Sequence, residues 1–307
     1  MKCFYTDRFV LPLPPTHRFP MEKYQRLRER LLADGVLRPE DLCEPPAASW
    51  DELRLVHDDE YLRAVAEGRL APDLQRRIGF PWSPAMVERS RRSVGGTIAA
   101  ARAALGDGIA ANLAGGTHHA FRDRGEGYCV FNDVAVAARV LLQAGACARI
   151  AVVDCDVHQG NGTAAIFRGD PAVFTFSLHG EKNYPFKKET SDLDITLPDG
   201  ARDDEYLAAL EASLRAVVAR HDPEFVFYVA GADPYEGDRL GRLGVTVSGL
   251  AARDRLVFSA CRGAGLPVAV SMGGGYAHDV DAIVAIHVNT IREASQWTAV
   301  PPERAVS

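Results

Sequence analysis

Short apolar runs alternate with longer helical periods along most of the chain. Ile150-Ala151-Val152-Val153 is an uninterrupted apolar run, the pattern of a strand buried on both faces of a parallel sheet. Ile109–Leu113, Val173–Phe176, Phe225–Val229 and Val268–Ser271 read as further strands. Between them, apolar residues recur every three or four positions. Met86–Leu105 predicts a helix, Leu250–Cys261 another, and Thr163–Arg168 a short one. Tyr206–Arg220 is strongly periodic, with Leu207, Leu210, Leu214, Val217 and Val218 on one side. Asn132 or Asp133 can cap a helix that runs through Gln143 and stops at Gly145. Repeated strand–helix–strand crossovers predict an α/β fold: one doubly wound, mostly parallel sheet with helices on both faces. The first 60 residues and the last dozen carry less pattern, and Pro12-Leu13-Pro14-Pro15 reads as a loop. Residues 1–307 are expected to form a single domain, with about 295–307 a loose C-terminal tail.

Polar residues fall where these strands end. Asp154, Asp156 and His158 follow the 150–153 run and share a face if the backbone stays extended. Open α/β sheets bind ligands at the carboxyl ends of their strands. A carboxylate and an imidazole two residues apart at such a place look like metal ligands. The plainer alternative is a solvated loop, but the next residues, Gln159-Gly160-Asn161-Gly162-Thr163, form a glycine-containing turn and not a charged surface stretch. His118 and His119 follow their strand through Gly115-Gly116. His179 follows Ser177-Leu178, Asp233 follows Ala230-Gly231-Ala232, and Tyr276 follows Met272-Gly273-Gly274-Gly275. A lone buried histidine or tyrosine is usually a packing residue. Five strand ends carrying polar groups toward one sheet edge point to an active site.

Composition narrows the classes. With 47% hydrophobic and 25% charged residues, the chain can bury a full core and shows no disorder signature. Its net charge of −6 comes without a basic stripe, which argues against direct nucleic-acid binding. The N-terminus lacks a signal peptide's apolar stretch, and no long uncharged run suggests a membrane span. The six cysteines, at 3, 43, 129, 147, 155 and 261, have no paired spacing. Free thiols in a reducing cytoplasm are therefore expected.

Five stretches together resemble the histone deacetylase family, with its arginase–deacetylase fold. They are Gly115–His119, Gly127–Asp133, Asp154–Gly162, Gly231–Gly241 and Gly273–Tyr276. The Gln159–Gly162 turn, the Glu236–Leu240 stretch and the short length are most similar to the class IV branch and its bacterial relatives. His17-Arg18-Phe19-Pro20-Met21-Glu22-Lys23-Tyr24 resembles the opening of such bacterial members.

That resemblance implies a metal-dependent amidohydrolase acting on acyl-lysine in a protein or peptide. Asp156, His158 and Asp233 would hold one catalytic Zn2+, the kind of site that keeps an open position for water and substrate. Oxygen-rich ligation also suits Fe2+, Co2+ or Mn2+. His119 would be the general base, paired with Asn161 where class I members carry Asp. His118, held by Asp154, would stabilise developing charge, and Tyr276 would donate to the oxyanion. Asp154, the backbone oxygens of Asp156, His158 and Leu178, and the Ser177 hydroxyl resemble a structural K+ site. Gly127, Tyr128, Tyr184, Gly274 and Gly275 match walls of an acyl-lysine tunnel; ordinary aromatic packing is the plainer alternative for the two tyrosines and explains Tyr184 nearly as well. Cys129 and Cys155 look like buried small residues without the context of a nucleophile. The class IV likeness implies a preference for long acyl chains, with Gly115-Gly116 and Gly273–Gly275 leaving pocket volume. Three competitors stand beside this reading: a small-molecule deacetylase such as an acetylpolyamine amidohydrolase, a ureohydrolase, and a catalytically dead binding module. Gly160 disfavours the second, because a second metal there would need a further carboxylate. The complete ligand, histidine and tyrosine set disfavours the third.

Overall fold

A computed structural model of the chain describes residues 1–14 and 16–296, so Pro15 and most of the expected C-terminal tail lie outside the described residues. The strands are β1 (Lys2–Phe4), β2 (Leu42–Cys43), β3 (Ile109–Asn112), β4 (Ile150–Asp154), β5 (Val173–Gly180), β6 (Leu193–Leu197), β7 (Phe225–Gly231) and β8 (Val268–Gly273). The helices are α1 (Lys23–Ala33), α2 (Trp50–Arg54), α3 (Asp59–Glu67), α4 (Pro72–Ile78), α5 (Pro84–Asp107), α6 (Asp133–Gln143), α7 (Asn161–Phe167), α8 (Asp203–His221), α9 (Val247–Gly263) and α10 (Val280–Ser295).

The eight strands form one sheet in the order β2-β1-β3-β8-β7-β4-β5-β6, and every neighbouring pair is parallel. This is the doubly wound α/β architecture that the alternation predicts. Strand side chains alternate in direction, so each central strand feeds two cores. Ala151 and Val153 of β4 pack with Val226 and Tyr228 of β7 under α1, α8, α9 and α10. Ile150 and Val152 pack with Phe225, Phe227 and Val229 on the opposite face, under α2 to α7. Asp154, Asp156 and His158 have the parity of Ile150 and Val152, and they leave the sheet at its carboxyl edge.

The predicted elements recur with boundaries moved by a few residues, except at one strand. β5 continues four residues past the expected end at Phe176, to Gly180. His179 is therefore inside a strand, in register with Thr196 of β6. The unexpected elements are the short N-terminal ones, the half-buried β6 and α10. The apolar stripe of α10, through Ile283, Val284, Val288 and Ile291, is interrupted by the buried polar residues His287 and Thr290.

One buried histidine outside the sheet edge ties the helical layer to it. His57 Nε2 accepts the backbone N–H of Asn132 at 3.0 Å. Burial pulls its pKa down to about 4, and contacts with the Phe121 and Arg122 backbone only partly oppose this. An imidazole that is neutral when folded but titrates near 6.5 when unfolded stabilises the fold fully above that value. The contribution is lost as pH falls from about 6.5 toward 4, and amounts to about 3 kcal/mol at most. Chemical denaturation of wild type and His57→Gln at stepped pH should show their stability difference narrowing through that window. A difference that does not change with pH would contradict it.

Candidate active site

Four of the five expected strand ends converge. Asp156, His158 and Asp233 come within reach of one another: one ligand atom from each lies within 4.8 Å of the others, and all three residues are buried. His158 Nδ1 lies 2.9 Å from Asp156 Oδ1 and 3.2 Å from Asp233 Oδ2. Asp156 Oδ1 also accepts the His158 backbone N–H, and Asp233 Oδ1 accepts that of Val157. Asp233 Oδ2 has no hydrogen-bond donor. Burial, and after it the Asp156 charge, push the Asp233 carboxyl up to about 7. An orphaned buried oxygen beside a second carboxylate and an imidazole is the donor set of a hard or borderline divalent cation, which would relieve both penalties. The residues fit a metal.

The two histidines differ in surroundings. His118 Nδ1 lies 2.6 Å from Asp154 Oδ2 and its Nε2 3.8 Å from Asp156 Oδ1. Burial opposes its charge, but the Asp154 and Asp156 carboxylates outweigh burial and hold its pKa up to about 9. His119 Nδ1 lies 2.6 Å from Asn161 Oδ1. Burial, then the neighbouring His118 and His158, drive its pKa well below the ordinary value. The rings lie 4.2 Å apart, one favoured charged and the other neutral.

Tyr276 follows β8 on a turn in which Gly274 and Gly275 have positive φ of 58° and 88°. Its backbone N–H donates to Asp238 Oδ2 at 2.6 Å, and Arg239 donates to its carbonyl. Burial, and next the Asp233 charge, raise its hydroxyl above the usual range, which keeps it a donor. From the other end of the chain, Lys23 Nζ donates to the Gly274 carbonyl at 2.5 Å and to that of Gly275 at 3.3 Å.

His179 is the exception. Its Nδ1 lies 2.9 Å from the Ser177 hydroxyl, fully buried between β5 neighbours, and it does not line the site. Ser177 stands beside Asp154 in the β4–β5 register, with Leu178 next to it in the strand. The outer cavity, of about 690 Å3, is walled by Gly127, Tyr128, Tyr184, His119, His158 and Tyr276 among others. The Tyr184 ring stands edge-on to His119 at 5.0 Å, and Tyr128 lies 5.8 Å from Tyr276. Cys155 is buried with its thiol pushed up to about 12, and burial also raises Cys129, so neither offers a thiolate.

The expectation that the glycines leave room for a long acyl chain is not met. A Cβ on Gly116 would meet Gly273 Cα at 2.7 Å, one on Gly115 would meet Asp133 Oδ2 at 2.5 Å, and one on Gly274 would meet Asp233 Cγ at 2.2 Å. A Cβ on Gly273 would sit 3.0 Å from Asp156 Oδ2, and one on Gly275 would sit 2.6 Å from Ile283. Their missing side chains allow backbone and carboxylates to touch. Gly160 acts likewise: a Cβ there would lie 2.4 Å from Asp154 Oδ2, so the Asp154–His118 pair needs it bare. Tyr276 also lines an inner cavity of about 60 Å3, where Arg89, Ser93 and Thr117 stand beside Phe80, Phe131 and Met272.

Three contributors escape the sequence reading. Glu126, buried, accepts Asn161 Nδ2 at 2.8 Å, so a carboxylate stands behind the His119–Asn161 pair. Asp133 accepts the backbone N–H groups of Gly116 and Thr117 and the hydroxyls of Thr97 and Thr117. Asn132 caps α6 and also donates to the Ala120 carbonyl. Helix-cap logic identifies Asn132 and Asp133 but not their grip on the histidine loop. Glu126 has only its place beside Gly127 as a signal.

Comparison with known proteins agrees with this architecture. The family model described as "Histone deacetylase domain" matches residues 17–291. An uncharacterized protein of Picosynechococcus sp. is 50% identical over 92% of this chain and 94% of its own length. Histone deacetylase 2 of Arabidopsis thaliana is 30% identical over 93% of this chain and 76% of its own. The crystal structure of an HDAC homolog from Aquifex aeolicus superposes with a TM-score of 0.85 at 26% identity, covering 98% of this chain and 85% of that one.

Proposed function

The chain belongs to the histone deacetylase family and has its arginase–deacetylase fold, and on that premise we propose that it is a single-metal deacylase removing a short acyl group from acyl-lysine. The observation that carries the reading is the convergence of Asp156, His158 and Asp233 with a charge-favoured His118, a neutral His119 and Tyr276 around one cavity.

Asp156, His158 and Asp233 are the residues that would hold the ion, Zn2+ or a similar divalent cation. When bound, such an ion polarises a carbonyl and brings the pKa of a water to near 7. The remaining work belongs to the side chains. Asn161, whose amide N–H donates to Glu126, accepts a hydrogen bond from His119 Nδ1–H and so leaves Nε2 free to accept a proton from the attacking water. The same nitrogen then returns a proton to the departing lysine amine. His118, charge-paired with Asp154, supplies positive potential close by without having to move a proton. The Tyr276 hydroxyl donates to the developing oxyanion, its backbone oriented by Asp238 and Arg239 and the preceding glycine turn held by Lys23. Tyr128 and Tyr184 flank the path of the lysine stem. Asp154 and Ser177, beside Leu178 and the Asp156 and His158 carbonyls, would hold a structural K+.

Acyl length follows from space. One water needs roughly 10–15 Å3 of such volume, so the inner cavity of about 60 Å3 accepts a few heavy atoms beyond the carbonyl and is too small for a long chain. On one fluorogenic lysine peptide, kcat/KM should be highest for acetyl and fall toward octanoyl, and exhaustive chelation should abolish turnover. A series rising toward octanoyl would replace this reading with a fatty deacylase. Hydrolysis of guanidinium substrates instead of amides would point to a ureohydrolase.

A further inference from the structure

The mouth of the outer cavity is lined by Arg18, Arg76, Arg77, Lys182, Arg239 and Arg242, all exposed. Glu126 is the one acid in that lining, buried and turned toward Asn161. Arg242 pairs with Asp199 at 3.2 Å and Arg77 reaches Glu126 only at 4.0 Å. Among the described residues, Arg18, Arg76, Lys182 and Arg239 form no ion pair. Asp238, next to Arg239, spends its carboxylate on the backbone N–H groups of Tyr276, Leu240 and Gly241. The whole chain is acidic, with 41 Asp and Glu against 35 Lys and Arg, so this concentration of cations at one opening runs against its average. Phe186, 87% exposed, stands at the same rim, stacked edge-on to Tyr184.

Resting on the deacylase reading, we infer that the preferred substrate is an acylated lysine within an acidic peptide segment, its Asp and Glu side chains meeting the rim cations. Unpaired cations around a recessed opening attract anionic substrates and repel cationic ones. A basic histone-like tail or an acetylpolyamine would therefore bring the wrong charge. The exposed Phe186 ring favours a polymer lying across the rim over a small anion, because it offers apolar contact beyond the reach of a molecule confined to the cavity.

The test uses the full chain loaded with Zn2+ and acetyl-lysine peptides of one length with acidic, neutral or basic flanks. Acetylspermidine and a short acetylated ω-amino acid are run beside them. At low ionic strength, kcat/KM for the acidic peptide should exceed that for the basic one by about tenfold, the sum of two or three exposed pairs. The ratio should collapse toward one near 1 M salt, where screening acts within about 3 Å. The double variant Arg76→Glu, Lys182→Glu should lower or invert the ratio. Equal rates on all three peptides, or a basic preference, would overturn the charge inference while leaving the deacylase reading intact. Faster turnover of the acetylated ω-amino acid than of any peptide would overturn the peptide part. No turnover of any acetylated amine would instead remove the deacylase reading itself.

Discussion

Asp233→Ala should leave the protein folded but without its divalent ion and without measurable deacylase activity. The Asp233 carboxyl carries the orphaned Oδ2 that faces His158, and its Oδ1 caps the Val157 N–H. Deleting it removes one of three ligands. The loss of affinity should exceed the 10–100-fold typical of losing an outer partner. The fold should tolerate the change better than the ion does, because burial already disfavours that charge. Elemental analysis of purified wild type should find one divalent ion per chain, and of Asp233→Ala close to none, with similar thermal midpoints for the forms free of it. Two divalent ions per wild-type chain, or a variant that keeps its divalent ion, would refute the three-ligand assignment.

His119→Ala should lower kcat by roughly 10²–10⁴, the range for losing a positioned general base, with the bound ion retained. His119 is the histidine whose surroundings favour the neutral form, and Asn161 fixes which nitrogen carries its proton. Tyr276→Phe should lower kcat by about 10²–10³, as for an oxyanion donor, and should also keep the ion. The two variants differ in what restores them. A small exogenous imidazole should partly rescue His119→Ala and should do nothing for Tyr276→Phe. Near-normal kcat in either variant on a peptide substrate would remove the corresponding role.

Legibility in the sequence followed the physics of each element. The five central strands were visible because parallel strands buried on both faces must be continuously apolar, as Ile150–Val153 is. β1 and β2, with three and two residues, hold too few positions to show any period. β6 lies at the sheet edge, where Asp194 and Thr196 face partly outward and blur the run. Asp156, His158 and Asp233 could be nominated because glycine-bearing turns follow strands at their positions. His179 misled for the same reason: a histidine soon after a strand reads as a strand end, and only the β5–β6 pairing reveals four more strand residues. Glu126 was invisible because its significance lies in one contact with Asn161, 35 positions away. The rim cations are likewise scattered from position 18 to position 242, and no local charge run announces them.

The strand order carries a consequence for how the molecule comes into being. β8, made late in synthesis, lies between β3 and β7 and joins the block β2-β1-β3 to the block β7-β4-β5-β6. Until residue 273 has left the ribosome, both blocks present an open, apolar strand edge, the template that other chains can capture. Tyr276 and the Gly274 and Gly275 carbonyls clasped by Lys23 arrive with that same closing segment. A nascent or truncated chain ending before β8 can thus hold every proposed metal ligand and both histidines yet remain inert and sticky. The ribosome delivers the sheet's closure and the proposed oxyanion donor in a single late step, so chains interrupted before it should appear as aggregates and not as partially active enzyme.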